Sequence, residues 1–123
     1  MTLADEVRAF NEAFERALAA QDVEGLVALY TDDARIMSAG QPVIQGPAAI
    51  EAAMRSWVAD GPAIVRFETD EIMADGSLVV DIGTVVGPTS RSKYVVIHRR
   101  QPDGGLRIAI DSASSDGAVS ASE

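Results

Sequence analysis

A chain of 123 residues, 47% of them apolar, fits one domain and is long enough to close a single hydrophobic core. Its formal net charge of −9 repels phosphate backbones and anionic membranes, so neither nucleic acid nor a membrane surface is an expected partner. With no cysteine and one histidine, the chain lacks the means for disulfides, thiolate chemistry or a multi-histidine zinc site, and no metal or other cofactor is expected.

The stretch "MTLADEVRAFNEAF" carries acids where a secretory leader would carry Lys or Arg. No apolar run approaches a membrane span, so a cytoplasmic protein is expected. In "TLADEVRAFNEAFERALAAQD", Leu3, Val7, Phe10, Phe14 and Leu18 recur at helical steps, with Thr2 as N-cap and Asp5 and Glu6 at the positive end of the dipole. Asp22 caps a shorter predicted helix, "VEGLVALYT", which Asp32 and Asp33 end. "ARIMSA" reads as a short strand and "GQPV" as a turn. "GPAAIEAAMRSWVAD" reads as a third helix with Pro47 in its first turn.

After Gly61 the period alternates. "AIVRFETDEIM" and "SLVVDIGTVV" flank the tight turn "ADG", and "SRSKYVVIHRRQ" and "LRIAIDSASS" flank "PDGG". The tail over 117–123 is small, polar and expected to fray. Three N-terminal helices followed by a strand meander predict an α+β fold over 1–116. Its helices should pack on one face of a curved antiparallel sheet, leaving an apolar cavity between the layers.

"AQDVEGLVALYTDDARIMSAGQPVIQGPAAIEAAM" and "KYVVIHRRQPDGGLRIAIDSASSD" resemble the NTF2-like superfamily, specifically its SnoaL-like and DUF4440-type members, which include the ketosteroid isomerases. The resemblance runs from residue 7 to about 116 and implies the cone-shaped NTF2-like fold. It implies a small-molecule pocket but no single chemistry, because the superfamily holds isomerases, cyclases, dehydratases, epoxide hydrolases and non-catalytic binders. In ketosteroid isomerases a carboxylate base moves a proton while a Tyr and a protonated Asp hold the oxyanion. By resemblance the base position falls on Ser38, which has no useful basicity, and the oxyanion Tyr on Phe14, which has no donor. The supporting tyrosines fall on Tyr30 and Met54, and the oxyanion Asp on His98 or, with a one-residue shift, Ile97. A standard ketosteroid isomerase is therefore not expected.

The remaining polar candidates sit on strands. Tyr94, Val96, His98 and Arg100 share one side of theirs, so an inward His98 would offer a group that exchanges a proton near neutrality; the plain alternative is a half-exposed strand histidine. Asp81, alone among Val and Gly, must either meet a partner in the cavity or face water opposite Arg66 or Arg99. Asp111 is expected to pair with Arg99 or Arg100 across the last hairpin. An epoxide-opening site would need Asp81, Arg100 and Asp111 all inward. Phe14, Tyr30, Met37, Met54 and Trp57 are core or cavity wall, two roles that this fold merges. The acids of "FETDEIMAD" alternate rather than cluster, so no metal site is expected.

Two expectations stand together. One is a tailoring enzyme on an apolar oxygenated metabolite, such as a polyketide or terpenoid, with His98 and Asp81 as acid–base groups in a pocket lined by Phe14, Tyr30, Met37, Ser38, Met54, Trp57, Tyr94, Arg100 and Asp111. The other is a non-catalytic ligand-binding or dimerisation module. A homodimer is expected through the outer sheet face, from Val79, Val85, Val95, Ile97 or their strand neighbours.

Overall fold

The computed structural model describes residues 1–115; the expected frayed tail lies outside the described residues. The elements run α1 (Leu3–Ala19), α2 (Val23–Val27), β1 (Tyr30–Ser38), β2 (Ile44–Gln45), α3 (Pro47–Trp57), β3 (Arg66–Asp75), β4 (Leu78–Val86), β5 (Arg91–Arg100) and β6 (Leu106–Ser115). α1 opens on a capping box. The Thr2 hydroxyl accepts the Asp5 N–H at 3.1 Å, and the Asp5 carboxylate accepts the Thr2 N–H at 3.2 Å. Its stripe of Val7, Phe10, Phe14 and Leu18 is buried as the spacing predicts.

α2 is shorter than its sequence suggests. Asp22 caps it by accepting the Gly25 N–H, but it ends at Val27, and Tyr30 and Thr31 open β1 instead of closing a helix. The cause is non-local. The Ile108 N–H donates to the Leu29 carbonyl at 2.8 Å, and Tyr30 registers with Ile108 in β6, so sheet pairing captures residues that local propensity leaves undecided. β1 lies parallel to β6, while β3 to β6 form the expected antiparallel meander, with Gly76 and Gly104 at left-handed φ in its two tight turns. The short β2, which follows the turn "GQPV" and is not expected from the sequence, adds to β1, giving the sheet order β2-β1-β6-β5-β4-β3.

The sheet curves without closing, and the helices cover its inner face. Between the layers lies one core drawn from α1, α2, α3 and the inward rows of the strands. Strand parity places Met37, Leu78 and Val95 on the outer face, all substantially exposed. Val79, expected outside, is buried inside together with Asp81, because the parity of β4 that fills the core is Val79–Asp81–Gly83. Among the described residues no helix is long and apolar enough to cross a membrane.

Candidate functional site

Strand register lays the inward side chains out in cross-strand rows. One row reads Asp81, Val96, Asp111 and Ile36 across β4, β5, β6 and β1; the next reads Gly83, Tyr94, Ala113 and Ser38. Two carboxylates thus share a row, separated by one valine. Each is met by a tyrosine.

Asp81 is 0% exposed and is satisfied entirely by neutral donors. Asn11 Nδ2 donates to its Oδ2 at 3.0 Å, and the Tyr94 hydroxyl donates to both oxygens at 3.1 and 3.2 Å. Tyr94 has a single proton, and with that proton on Asp81 its oxygen accepts from Thr69 at 3.2 Å. The water-facing alternative opposite Arg66 or Arg99 does not occur: Arg66 binds Glu68, and Arg99 lies 3.8 Å from Asp33. Burial and the adjacent Asp81 charge together hold the Tyr94 phenol well above its ordinary pKa, so Tyr94 is a neutral donor.

Gly83 makes room for this cluster. A Cβ there would fall 2.1 Å from the Glu68 carbonyl oxygen and 2.8 Å from the Tyr94 hydroxyl. Gly83→Ala should therefore lower unfolding free energy by about 1–3 kcal/mol through overpacking. Urea denaturation checks this, and a change below about 0.5 kcal/mol would show that the strand yields there.

Asp111 does not pair with Arg99 or Arg100. It faces inward, partly buried, and its Oδ2 accepts the Tyr30 hydroxyl proton at 2.7 Å. The hairpin arginines are engaged elsewhere: Arg100 binds Glu6 on α1 and donates to the Gly104 carbonyl at 2.9 Å. An Asp81–Arg100–Asp111 arrangement around one water is consequently not formed. Burial raises the Asp111 carboxyl pKa, with the Tyr30 hydrogen bond acting against it, and burial raises the Tyr30 phenol. Between the two tyrosine–carboxylate pairs lies an edge-to-face relay of rings. Phe14 meets Tyr30 at 6.2 Å and Phe67 at 5.4 Å, and Phe67 meets Tyr94 at 5.5 Å.

His98 points inward and is 0% exposed. The ring of Phe10 stands edge-on to it at 4.6 Å, and neither imidazole nitrogen has a hydrogen-bond partner. Burial lowers its pKa from 6.5 to about 4, against the partial opposition of Asp81 and Glu6, so it is neutral at pH 7. Met54 is plain buried core, and Met37 is on the outer face. Trp57 is 46% exposed and, with Ile36, Ser38 and Ile44, lines a depression of about 310 Å³ between β1, β2 and the end of α3.

Sequence inspection passed over Asn11 and Thr69. Asn11 had a signal: Val7, Asn11, Phe14 and Leu18 lie on one buried face, where an amide must find a partner. Thr69 had none, being one polar residue in a polar strand.

These features define a helix-covered, open-cone α+β domain whose inner wall carries paired tyrosines and carboxylates. The chain belongs to the SnoaL-like domain family, whose model matches residues 7–109, within the NTF2-like superfamily. A protein from Catenulispora acidiphila, solved in complex with S-DNPA, superposes with a TM-score of 0.78 at 20% identity, covering 97% of each chain. An NTF2-like protein with a cystatin-like fold from Novosphingobium aromaticivorans gives 0.76 at 20% identity, over 97% of this chain and 86% of that one. A ketosteroid isomerase-like protein from Erwinia carotovora atroseptica gives 0.72 at 19% identity, over 90% and 94%. At these identities the likeness is one of fold. No curated protein matches the chain in sequence.

Proposed function

We propose that the protein binds a small, largely apolar, oxygen-bearing molecule in the depression beside Trp57 and exchanges a proton with it through Asp111. The observation that carries this is the row in which Asp111 neighbours Ile36, since Ile36 also lines the depression beside Trp57. In this scheme a ligand resting on Ile36, Ile44 and Trp57 extends its polar end past Ile36 toward the Tyr30–Asp111 pair, which stands behind the lining of the depression. Asp111 Oδ1 has no hydrogen-bond partner among the described residues, whereas both oxygens of Asp81 are taken. A carboxyl raised by burial is a better base than an ordinary one, and Tyr30 holds it in place. In this scheme Asp81 and His98 build the adjoining wall rather than carry the chemistry. The molecule pairs as a homodimer through the outer sheet face around Leu78 and Val95.

The test uses 2-naphthol against naphthalene, followed by the indole N–H NMR signal of Trp57, the sole tryptophan. 2-Naphthol should shift that signal saturably. Asp111→Leu should weaken it by about tenfold, which is the loss of one hydrogen bond to a charged group, and Tyr30→Phe should weaken it by a smaller factor. Equal binding of the two probes, or indifference to both substitutions, would remove the assignment. Deuterium uptake at the acidic CH₂ of 2-tetralone, faster than in buffer and lost in Asp111→Leu, separates turnover from plain binding. Binding without such uptake would favour a non-catalytic ligand-binding module.

A further inference from the structure

A second concavity lies at the β3 edge of the sheet. α1 and the edge strand β3 enclose a groove of about 570 Å³ that shares no lining residue with the Trp57 depression. Its back wall is Phe67, Asn11 and Thr69. Asn11 is 8% exposed, and its Nδ2 is committed to Asp81 at 3.0 Å and to Thr69 at 3.4 Å. Its Oδ1 has no hydrogen-bond partner among the described residues and is not sealed from solvent, so this carbonyl opens onto the groove that Asn11 lines. A nearly buried amide thus presents an unused acceptor at the floor of a cavity.

Charge around the floor has one sign to spare. Glu12, Glu15, Asp70 and Glu71 face the groove together with Arg8 and Arg66. Both arginines are already held by carboxylates that do not line it, Arg8 by Asp5 at 2.9 Å and Arg66 by Glu68 at 2.6 Å. Glu15 accepts the Phe67 N–H at 2.8 Å, whereas Glu12, Asp70 and Glu71 have no ion-pair partner among the described residues. Behind the floor stands the buried Asp81 carboxylate, which has no ion-pair partner among the described residues. A ligand fitting these demands donates hydrogen bonds, carries positive charge at more than one point and has an apolar stem to lie on the Phe67 ring.

We propose that this groove binds a linear alkylammonium, a di- or polyamine, with one ammonium group on Asn11 Oδ1 and the Thr69 hydroxyl and the others among Glu12, Asp70 and Glu71. The site is independent of the cone assignment. Asn11 and Thr69 connect it to Tyr94 and Asp81, so an occupant touches the same polar cluster that braces the inner wall.

Spermidine is the probe, titrated calorimetrically into the full chain in about 0.15 M salt, where the Debye length of about 8 Å screens the overall negative charge. The expected result is saturable one-to-one binding that Glu12→Gln with Asp70→Asn weakens by about tenfold or more. Glu24→Gln with Asp60→Asn removes the same charge from exposed positions outside the groove and should change affinity by less than about twofold. Thr69→Val keeps shape and charge but removes the hydroxyl, and should weaken binding by about threefold or more. Asp111→Leu should leave spermidine affinity unchanged, which separates this site from the cone. Equal losses from the two charge pairs, or a Thr69→Val variant that binds like the parent, would reduce the interaction to general attraction by an acidic surface and overturn the proposal. So would the absence of saturable binding.

Discussion

Asn11→Leu should lower the free energy of unfolding by about 2–3 kcal/mol, a large effect for one conservative change of size. The substitution keeps the volume on the buried face of α1 and deletes one of the two donors that Asp81 has among the described residues. Asp81 is 0% exposed, so water cannot replace the lost hydrogen bond and the carboxylate bears its desolvation cost. Tyr94→Phe removes the other donor and should act in the same direction. A double-mutant cycle makes the assignment specific. With Asp81→Leu already in place, Asn11→Leu should cost much less, because no buried charge remains to be stranded. Urea midpoints with unchanged slopes give the comparison. If Asn11→Leu costs less than about 0.5 kcal/mol, or the same in both backgrounds, Asp81 draws its stability from elsewhere.

How far such a cluster was legible depends on whether its signal was local. The α1 stripe, the Thr2 and Asp22 caps and the two Gly-bearing hairpin turns are set by neighbouring residues, and the structure holds each where the sequence suggests. Which strand faces look inward is less readable. In "YVVIH" both parities are apolar, so alternation shows two faces without saying which meets the helices. In β4 the stretch "LVVDI" is likewise apolar at both parities, which leaves Val79 readable as an outer residue and Asp81 as facing either cavity or water. Long-range pairing was hidden altogether. The parallel join of β1 to β6 moves Tyr30 from helix to strand and carries its hydroxyl to Asp111, a partner 81 positions away. The arginines near Asp111 in sequence misled for the same reason, since Arg99 and Arg100 find Asp33 and Glu6 first.

His98 should make the protein progressively less stable as pH falls from about 6.5 to about 4. Above pH 6.5 the imidazole is neutral folded and unfolded, so it adds no pH dependence. Below that value the unfolded chain takes up a proton that the native state refuses, because the ring is sealed under Phe10 with neither nitrogen hydrogen-bonded. The gap between 6.5 and about 4 amounts to about 3 kcal/mol in full, developed by the time the native imidazole itself protonates. The charged groups around it modify the size and not the sign. Asp81 on β4 and Glu6 on α1 favour the imidazolium, but Asp81 is occupied by Asn11 and Tyr94 and Glu6 by Arg100, while β6 opposes His98 with the uncharged Ile108. His98→Leu therefore should match or exceed the parent in stability at pH 7, where leucine leaves no unpaired nitrogen in the core. Its advantage should then widen by up to about 3 kcal/mol as pH approaches 4. Urea unfolding of both proteins across that range isolates the histidine, since every other titrating group is common to the pair. The NMR signal of the imidazole C–H needs no assignment in a chain with one histidine, and its midpoint should lie near 4. A midpoint near 6.5, together with a stability difference that stays flat with pH, would mean that the ring is hydrated and paired in solution.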